Sequence, residues 1–212
     1  AREGVLPTAA FNNCSGKHSG FLTTAVTYGE PTKGYIKYDH PVQQRLREVM
    51  SDLCGLDANA FPHGTDGCGI PTLATPLKRL AQAMATMADP SRLSSKRADA
   101  AQRIRAAMNA EPFMVAGSGR FCTRINEAAS GVIQVKTGAE GVFCGMLPTL
   151  GLGVAIKMWD GAGRASEIAM AALLHHLGVL PANQREEILR PPIKNVVGLL
   201  VGEMRPAKSW LG

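Results

Sequence analysis

The sequence predicts an α+β protein, with amphipathic helices first and an antiparallel sheet with packed helices after them. Three observations carry this. Apolar residues recur at helical spacing as far as Asn109, glycine-punctuated apolar runs of strand length replace them after Ser130, and a helical stripe returns near Ile168. The expected layout is a helical part at about 12–128 and a sheet-forming part at about 129–212.

The first helix is expected over Phe21 to Val26, directly behind a polar motif. From Pro41 to Leu53, the residues Val42, Leu46, Val49, Met50 and Leu53 share one helical face, with Pro41 in the first turn and Gly55 as the stop. The next helix takes Thr75 as N-cap with Pro76 behind it, and carries Leu77, Leu80, Ala81, Met84 and Met87 until Asp89-Pro90 breaks it. A helix from about Lys96 to Asn109 has Ala101, Ile104 and Met108 as its stripe and Arg97, Arg103 and Arg105 on its outer face. No aromatic residue interleaves with these arginines, so they read as a solvated face rather than a nucleic-acid footprint.

The runs Gly131 to Val135, Gly141 to Leu147 and Gly151 to Met158 read as consecutive antiparallel strands. A helix from about Arg164 to Leu177 follows, facing Ile168, Ala172, Leu173 and Leu177 inward and ending at Gly178. His175 and His176 lie on or near its stripe and read as structural. Pro191-Pro192 then separates it from a last strand, Val196 to Met204.

Composition narrows the class. With 45% hydrophobic and 19% charged residues the chain can build a core, which excludes a disordered tail. The net charge of +6 is spread along the whole length, so no nucleic-acid partner is expected. Ala1 to Phe11 contains no apolar signal core, and no run of about 18 uncharged apolar residues occurs, so neither a signal peptide nor a membrane partner is expected. The five cysteines lack the close pairing of a secreted mini-domain, which predicts reduced thiols in a cytoplasmic protein. Cys54, Cys122 and Cys144 have no ligand partner nearby in sequence and read as core thiols. The chain opens without Met and soon reaches a dense polar motif, so an additional N-terminal part is expected.

Three motifs carry chemistry. In Asn12-Asn13-Cys14-Ser15-Gly16-Lys17-His18-Ser19-Gly20, Cys14 and Lys17 share a face of a helix start, where exposed amides and the dipole favour a thiolate. Two readings stand here: a reactive or metal-binding cysteine, or a small buried one among capping residues Asn12, Asn13 and Ser15. In His63-Gly64-Thr65-Asp66-Gly67-Cys68-Gly69-Ile70-Pro71, glycines around Asp, Cys and His allow close backbone approach to a ligand; an ordinary turn between helices is the other reading. The third, Val135-Lys136-Thr137-Gly138-Ala139-Glu140-Gly141, has a Lys-Thr-Gly triplet leaving a strand, as in serine β-lactamases, where its lysine faces the serine of a Ser-x-x-Lys helix. No Ser-x-x-Lys occurs in the chain, and Thr75 to Lys78 is the only hydroxyl-x-x-Lys match.

Together these motifs, in this order, closely resemble the zinc-dependent bacterial asparaginase II family, the rhizobial-type L-asparaginases related in fold to serine β-lactamases and glutaminases. The resemblance spans essentially all 212 residues and makes the chain the C-terminal two-thirds of such a domain. It implies zinc as cofactor, held by Cys14, Lys17 and Cys68, with Asp66 beside metal and substrate and Lys136 as a catalytic lysine. His18 is a candidate substrate-binding residue, or a supporting or capping histidine. The implied reaction converts L-asparagine to L-aspartate and ammonia through a serine acyl-enzyme, and the serine lies outside this chain. A non-catalytic fragment that binds zinc and an amide ligand, or another acyl hydrolase of the same fold such as a glutaminase, is the alternative. A homodimer is expected.

A lysine binds zinc only as a neutral amine. Deprotonating it at pH 7 costs about 4 to 5 kcal/mol, whereas structural zinc contributes roughly 10 kcal/mol or more, so the metal can bear the cost.

Overall fold

The computed structural model describes residues 4–57, 61–182 and 185–210. The chain divides into two compact units, Ala1–Thr75 and Pro76–Gly212. Helices combined with small antiparallel sheets make the architecture α+β, as expected.

In the first unit, helix α1 (Ser15–Thr27) begins well before Phe21, so the first polar motif forms its opening turns. Helix α2 (Pro41–Cys54) has Pro41 at its first position and closes on Gly55 in the left-handed region, φ 61°, which a glycine reaches at no steric cost. His40 caps it by accepting from the Val42 N–H at 3.2 Å. The buried face of α2 differs from the predicted stripe: Val42, Gln43, Arg47 and Cys54 are buried, whereas Leu46, Val49, Met50 and Leu53 are only half-buried. Polar side chains turn inward because they hold the preceding loop. Gln43 donates to the Tyr35 carbonyl at 2.9 Å, Gln44 donates to the Tyr38 carbonyl at 2.6 Å, and the Arg47 guanidinium lies over the Tyr38 ring.

Strands β1 (His63–Thr65) and β2 (Pro71–Leu73) pair as an antiparallel hairpin within the stretch expected to be helical. The second motif is therefore a hairpin turn. Of its glycines only Gly69 needs a positive φ, at 89°.

The second unit contains a three-stranded antiparallel sheet in the order β3 (Gln134–Thr137), β4 (Val142–Leu147), β5 (Leu152–Lys157), the predicted meander with each strand beginning slightly later than its glycine. Those leading glycines, Gly131, Gly141 and Gly151, have positive φ and form the turns instead. Helix α3 (Leu77–Ala88) covers one face of the sheet. A Cβ on Gly153 would lie 2.0 Å from the Ala85 nitrogen and 2.2 Å from the Ala81 oxygen, so the helix backbone rests directly on β5. Strand side chains alternate. On the opposite face Val154, Ile156, Phe143 and Val135 join Cys122 and Ile125 of α6 (Phe121–Ala128) and Met170 and Leu174 of α7 (Gly163–His176) in one core cluster.

Three expectations need correction here. Thr75 does not cap α3: its hydroxyl donates to the Leu73 carbonyl at 3.4 Å, and Pro76 occupies the cap position without a side-chain bond. The arginines of α4 (Ser95–Ala110) do not form one solvated face. Only Arg103 is fully exposed, while Arg105 reaches back to donate to the Ala88 carbonyl at the α3 C-terminus, 2.6 Å away. Ile104, assigned to the apolar stripe, is 51% exposed.

Of the last predicted strand, Val196 to Met204, only β7 (Leu200–Glu203) forms, and it pairs with β6 (Pro192–Lys194) as a hairpin. The Asn195 carboxamide accepts from the Val197 and Leu199 N–H groups and Gly198 has φ 84°, which turns the chain where a continuous strand was expected. The short helices α5 (Pro112–Ala116), α6 and α8 (Arg185–Leu189) were not anticipated. Within α7, Ile168 and Ala172 are buried and Leu173 and Leu177 half-buried, while His175 and His176 are exposed in the last turn, where imidazoles complement the helix dipole rather than fill a core. Cys54 and Cys122 are buried as read, and Cys144 is half-buried. No described helix is long and apolar enough to cross a membrane.

Candidate functional site

The first unit draws two sequence motifs to one place. Cys14 occupies the N-cap of α1, with its backbone N–H donated to the Asn12 carboxamide at 2.8 Å. Asn12 thus braces the N-cap residue in a local turn without capping the helix itself, and Ser15 is already helical. One turn along, the Lys17 ammonium reaches Asp66 Oδ2 at 3.1 Å. Asp66 opens the β1–β2 turn, where its N–H bonds the Ile70 carbonyl and its carbonyl accepts from the Gly69 N–H. Its other oxygen, Oδ1, accepts both the Cys68 N–H and the Cys68 thiol, each at 2.8 Å. Cys14 lies one turn before Lys17 at the start of α1, so the Lys17–Asp66 contact brings that turn of the helix to the Asp66–Cys68 turn, and the four residues form a quartet.

The hairpin that presents Asp66 and Cys68 is anchored at its base. The His63 ring stacks on Tyr38 with centroids 3.7 Å apart and planes 14° apart, and Tyr38 is held through its carbonyl and ring by α2.

Electrostatics couple three of these groups, Asp66, Lys17 and Cys68. Burial raises the Asp66 pKa, but the Cys68 thiol, the Lys17 ammonium and the Cys68 N–H outweigh it and bring it down to about 2. Burial opposes charging Lys17, yet its bonds to Cys68 and Asp66 prevail and hold its pKa above the ordinary lysine value. Burial and the Asp66 hydrogen bond push the Cys68 thiol up, against the pull of Lys17. Without metal the cluster is thus an ammonium and a carboxylate joined through a protonated thiol.

His18, the next residue on α1, turns away from this quartet. Its Nδ1 meets the Tyr35 hydroxyl at 2.6 Å with the rings edge to face, and its Nε2 is buried without a hydrogen-bond partner. Tyr35 was missed by sequence reasoning; nothing in its local pattern separates it from a loop tyrosine.

Lys136 belongs to the second unit. It is exposed on the edge strand β3, in register with Cys144, and donates to the Thr137 carbonyl at 2.6 Å. The free edge of this strand is occupied by α6 side chains. Asn126 accepts the Val135 N–H at 2.8 Å and donates to its carbonyl at 3.2 Å, and Cys122 Sγ accepts the Thr137 N–H at 3.2 Å. These two residues fix the backbone on both sides of Lys136, and sequence reasoning missed Asn126 because the helix bearing it was not foreseen.

Among the described residues, no group of three or more His, Cys, Asp and Glu side chains is arranged to hold a metal. A metal in the quartet would therefore need the Lys17 amine.

The sequence matches the L-asparaginase II family over residues 1–206, and the chain belongs to that family. No match was found among curated proteins.

Proposed function

We propose that the chain carries the metal-binding and lysine-bearing part of an L-asparaginase that converts L-asparagine to L-aspartate and ammonia through a serine acyl-enzyme. The observation that supports this most is the Lys17–Asp66 contact, which joins the Cys14-x-x-Lys17 and Asp66-Gly67-Cys68 motifs into one cluster. The donor chemistry suits zinc: Lys17 and Cys68 both lie against Asp66, Cys14 stands one helical turn before Lys17, and the surface ion pair that holds Lys17 protonated is worth only about 1 kcal/mol or less to lose. Cys14, Lys17 and Cys68 would hold the metal, which when bound supplies positive charge and fixes the β1–β2 turn against α1.

The roles of the side chains follow. Once Lys17 is a neutral ligand, Asp66 loses its ammonium partner, and its carboxylate is free to take the ammonium of an amino-acid substrate. His18, held by Tyr35, would bind a substrate polar group only once its buried Nε2 is uncovered. Lys136 takes the proton of the attacking serine hydroxyl or stabilises its alkoxide, with ammonia leaving and water releasing the acyl group. The serine lies outside these residues, since no Ser-x-x-Lys occurs in them. A fold like that of serine β-lactamases and glutaminases, a bacterial cytoplasmic location and a homodimer belong to the same proposal. The absence of Ser-x-x-Lys also favours a second reading, a fragment that binds zinc and an amide ligand without turnover.

Ammonia release tests the proposal. The 212-residue chain loaded with zinc should release none. A protein that also carries the serine region should, and Lys136→Ala should reduce that turnover by about 10² to 10⁴ with zinc content unchanged. Turnover by the chain alone, insensitive to Lys136→Ala and lost on chelation, would contradict the serine route.

A further inference from the structure

One loop touches both halves of the quartet. Residues 34–38 lie between α1 and α2, and the polar face of α2 grips their backbone: Gln43 donates to the Tyr35 carbonyl at 2.9 Å, Gln44 donates to the Tyr38 carbonyl at 2.6 Å, and Arg47 donates to the Gln44 carboxamide oxygen at 2.8 Å. From that fixed backbone the side chains reach in two directions. The Tyr35 hydroxyl meets Nδ1 of His18, the residue after Lys17 on α1. Ile36 lies against the β1–β2 turn, since a Cβ built on Gly69 would stand 3.7 Å from its Cδ1. Tyr38 stacks on His63 of β1, with centroids 3.7 Å and planes 14° apart. A ring that close fills one face of Tyr38, so the Arg47 guanidinium, 4.5 Å from the Tyr38 centroid, takes the other.

We propose that Tyr38 is a positioning residue: held between Arg47 and His63, it fixes β1 to α2 so that the Asp66 turn stands at Lys17 before any metal arrives. A two-stranded hairpin with three residues per strand is marginal by itself, so its place must be set from outside its own ladder. Burial holds its flanks at Phe61 and Ile70, but no side chain of residues 63–69 between them is buried. The Lys17–Asp66 ion pair is half-exposed and too weak to set the turn alone. The stack on Tyr38 is the contact that ties this stretch to α2. Its consequence for zinc rests on the reading of the quartet as a metal site; its hold on the turn does not.

The test compares variants of the purified 212-residue chain by two readouts. One is hydrogen exchange, without metal, at the Asp66 and Gly69 amides, which bond the Ile70 and Asp66 carbonyls within the turn. The other is zinc affinity, measured by competition with a chromophoric chelator. Tyr38→Leu and His63→Ala should each speed exchange and weaken zinc binding about two- to tenfold, the range an aromatic pair is worth. Tyr38→Phe keeps both ring faces and should match wild type in both readouts. Because the two residues act through one contact, the double variant Tyr38→Leu, His63→Ala should lose no more than the larger single loss, rather than the product of the two. His63 is exposed, so its truncation removes the stack without opening the core, and the test stands even where Tyr38→Leu fails to fold. A wild-type chain that binds no zinc would remove the zinc reading, and the exchange rates would still decide the proposal. Wild-type exchange in His63→Ala, or a Tyr38→Phe variant as impaired as Tyr38→Leu, would overturn it. In a chain that binds zinc, faster exchange with unchanged affinity would overturn it as well.

Discussion

The two units hold Lys136 and Lys17 by opposite means. In the second unit, Lys136 stands on a strand whose neighbours Val135, Phe143 and Ile133 are fully buried in a continuous apolar core, and its outer edge is filled by Asn126 and Cys122. In the first unit, Lys17 sits among half-exposed polar groups, and the buried set mixes Ala25, Val42, Phe61 and Ile70 with His40, Gln43 and Arg47. The contrast teaches that position in the second unit is set by burial, which a ligand does not change, whereas in the first it is set by polar contacts that a bound cation can rearrange. A strand fixed in this way suits a group that must stand ready for a proton; a turn joined to a helix through Lys17 and Asp66 suits a metal.

The sharpest way to break the contrast is to overfill the sheet. Gly153→Ala places a Cβ into the α3 backbone, which cannot yield as a flexible side chain would, and should destabilise the second unit by about 3 kcal/mol or more in chemical denaturation. A change within error would mean that α3 does not rest on β5.

A smaller effect is expected where polar and apolar support meet. Asn126→Ala leaves the Val135 N–H and carbonyl unpaired in the interior and should cost about 1 to 3 kcal/mol, with faster hydrogen exchange at the Val135 amide. Unchanged protection at that amide would show that Asn126 does not hold the edge strand.

The smallest effect concerns Glu167 on α7. Burial raises its pKa above the ordinary 4.5, opposed by Arg120 and Arg124, so the folded chain binds this proton more tightly than the unfolded chain. Stability from this group is full below pH 4.5 and declines as pH rises through the folded value. Glu167→Gln should therefore stabilise at pH 7, by less than about 1 kcal/mol for a half-exposed group, and make no difference at pH 4. Destabilisation at pH 7 in thermal melts would reverse the sign.

Where local rules govern, the sequence was readable. The ends of α2 follow from Pro41 and Gly55, and the β3–β4–β5 meander follows from its glycine punctuation. The Cys14–Lys17 spacing placed both on one helical turn. Short elements were not readable, because α6 spans too few residues to show a period and the turn that replaces the first residues of the expected last strand depends on the Asn195 side chain. Contacts far apart in sequence, such as Lys17 with Asp66 and His18 with Tyr35, came from family resemblance in the first case and from nothing in the second.

The central claim is that the two polar motifs of the first unit form one zinc-binding cluster. Metal analysis of the purified chain tests it most directly, comparing wild type with the double variant Cys14→Ser, Cys68→Ser. The account predicts one zinc per wild-type chain and none retained by the variant; full zinc occupancy in the double variant would contradict it.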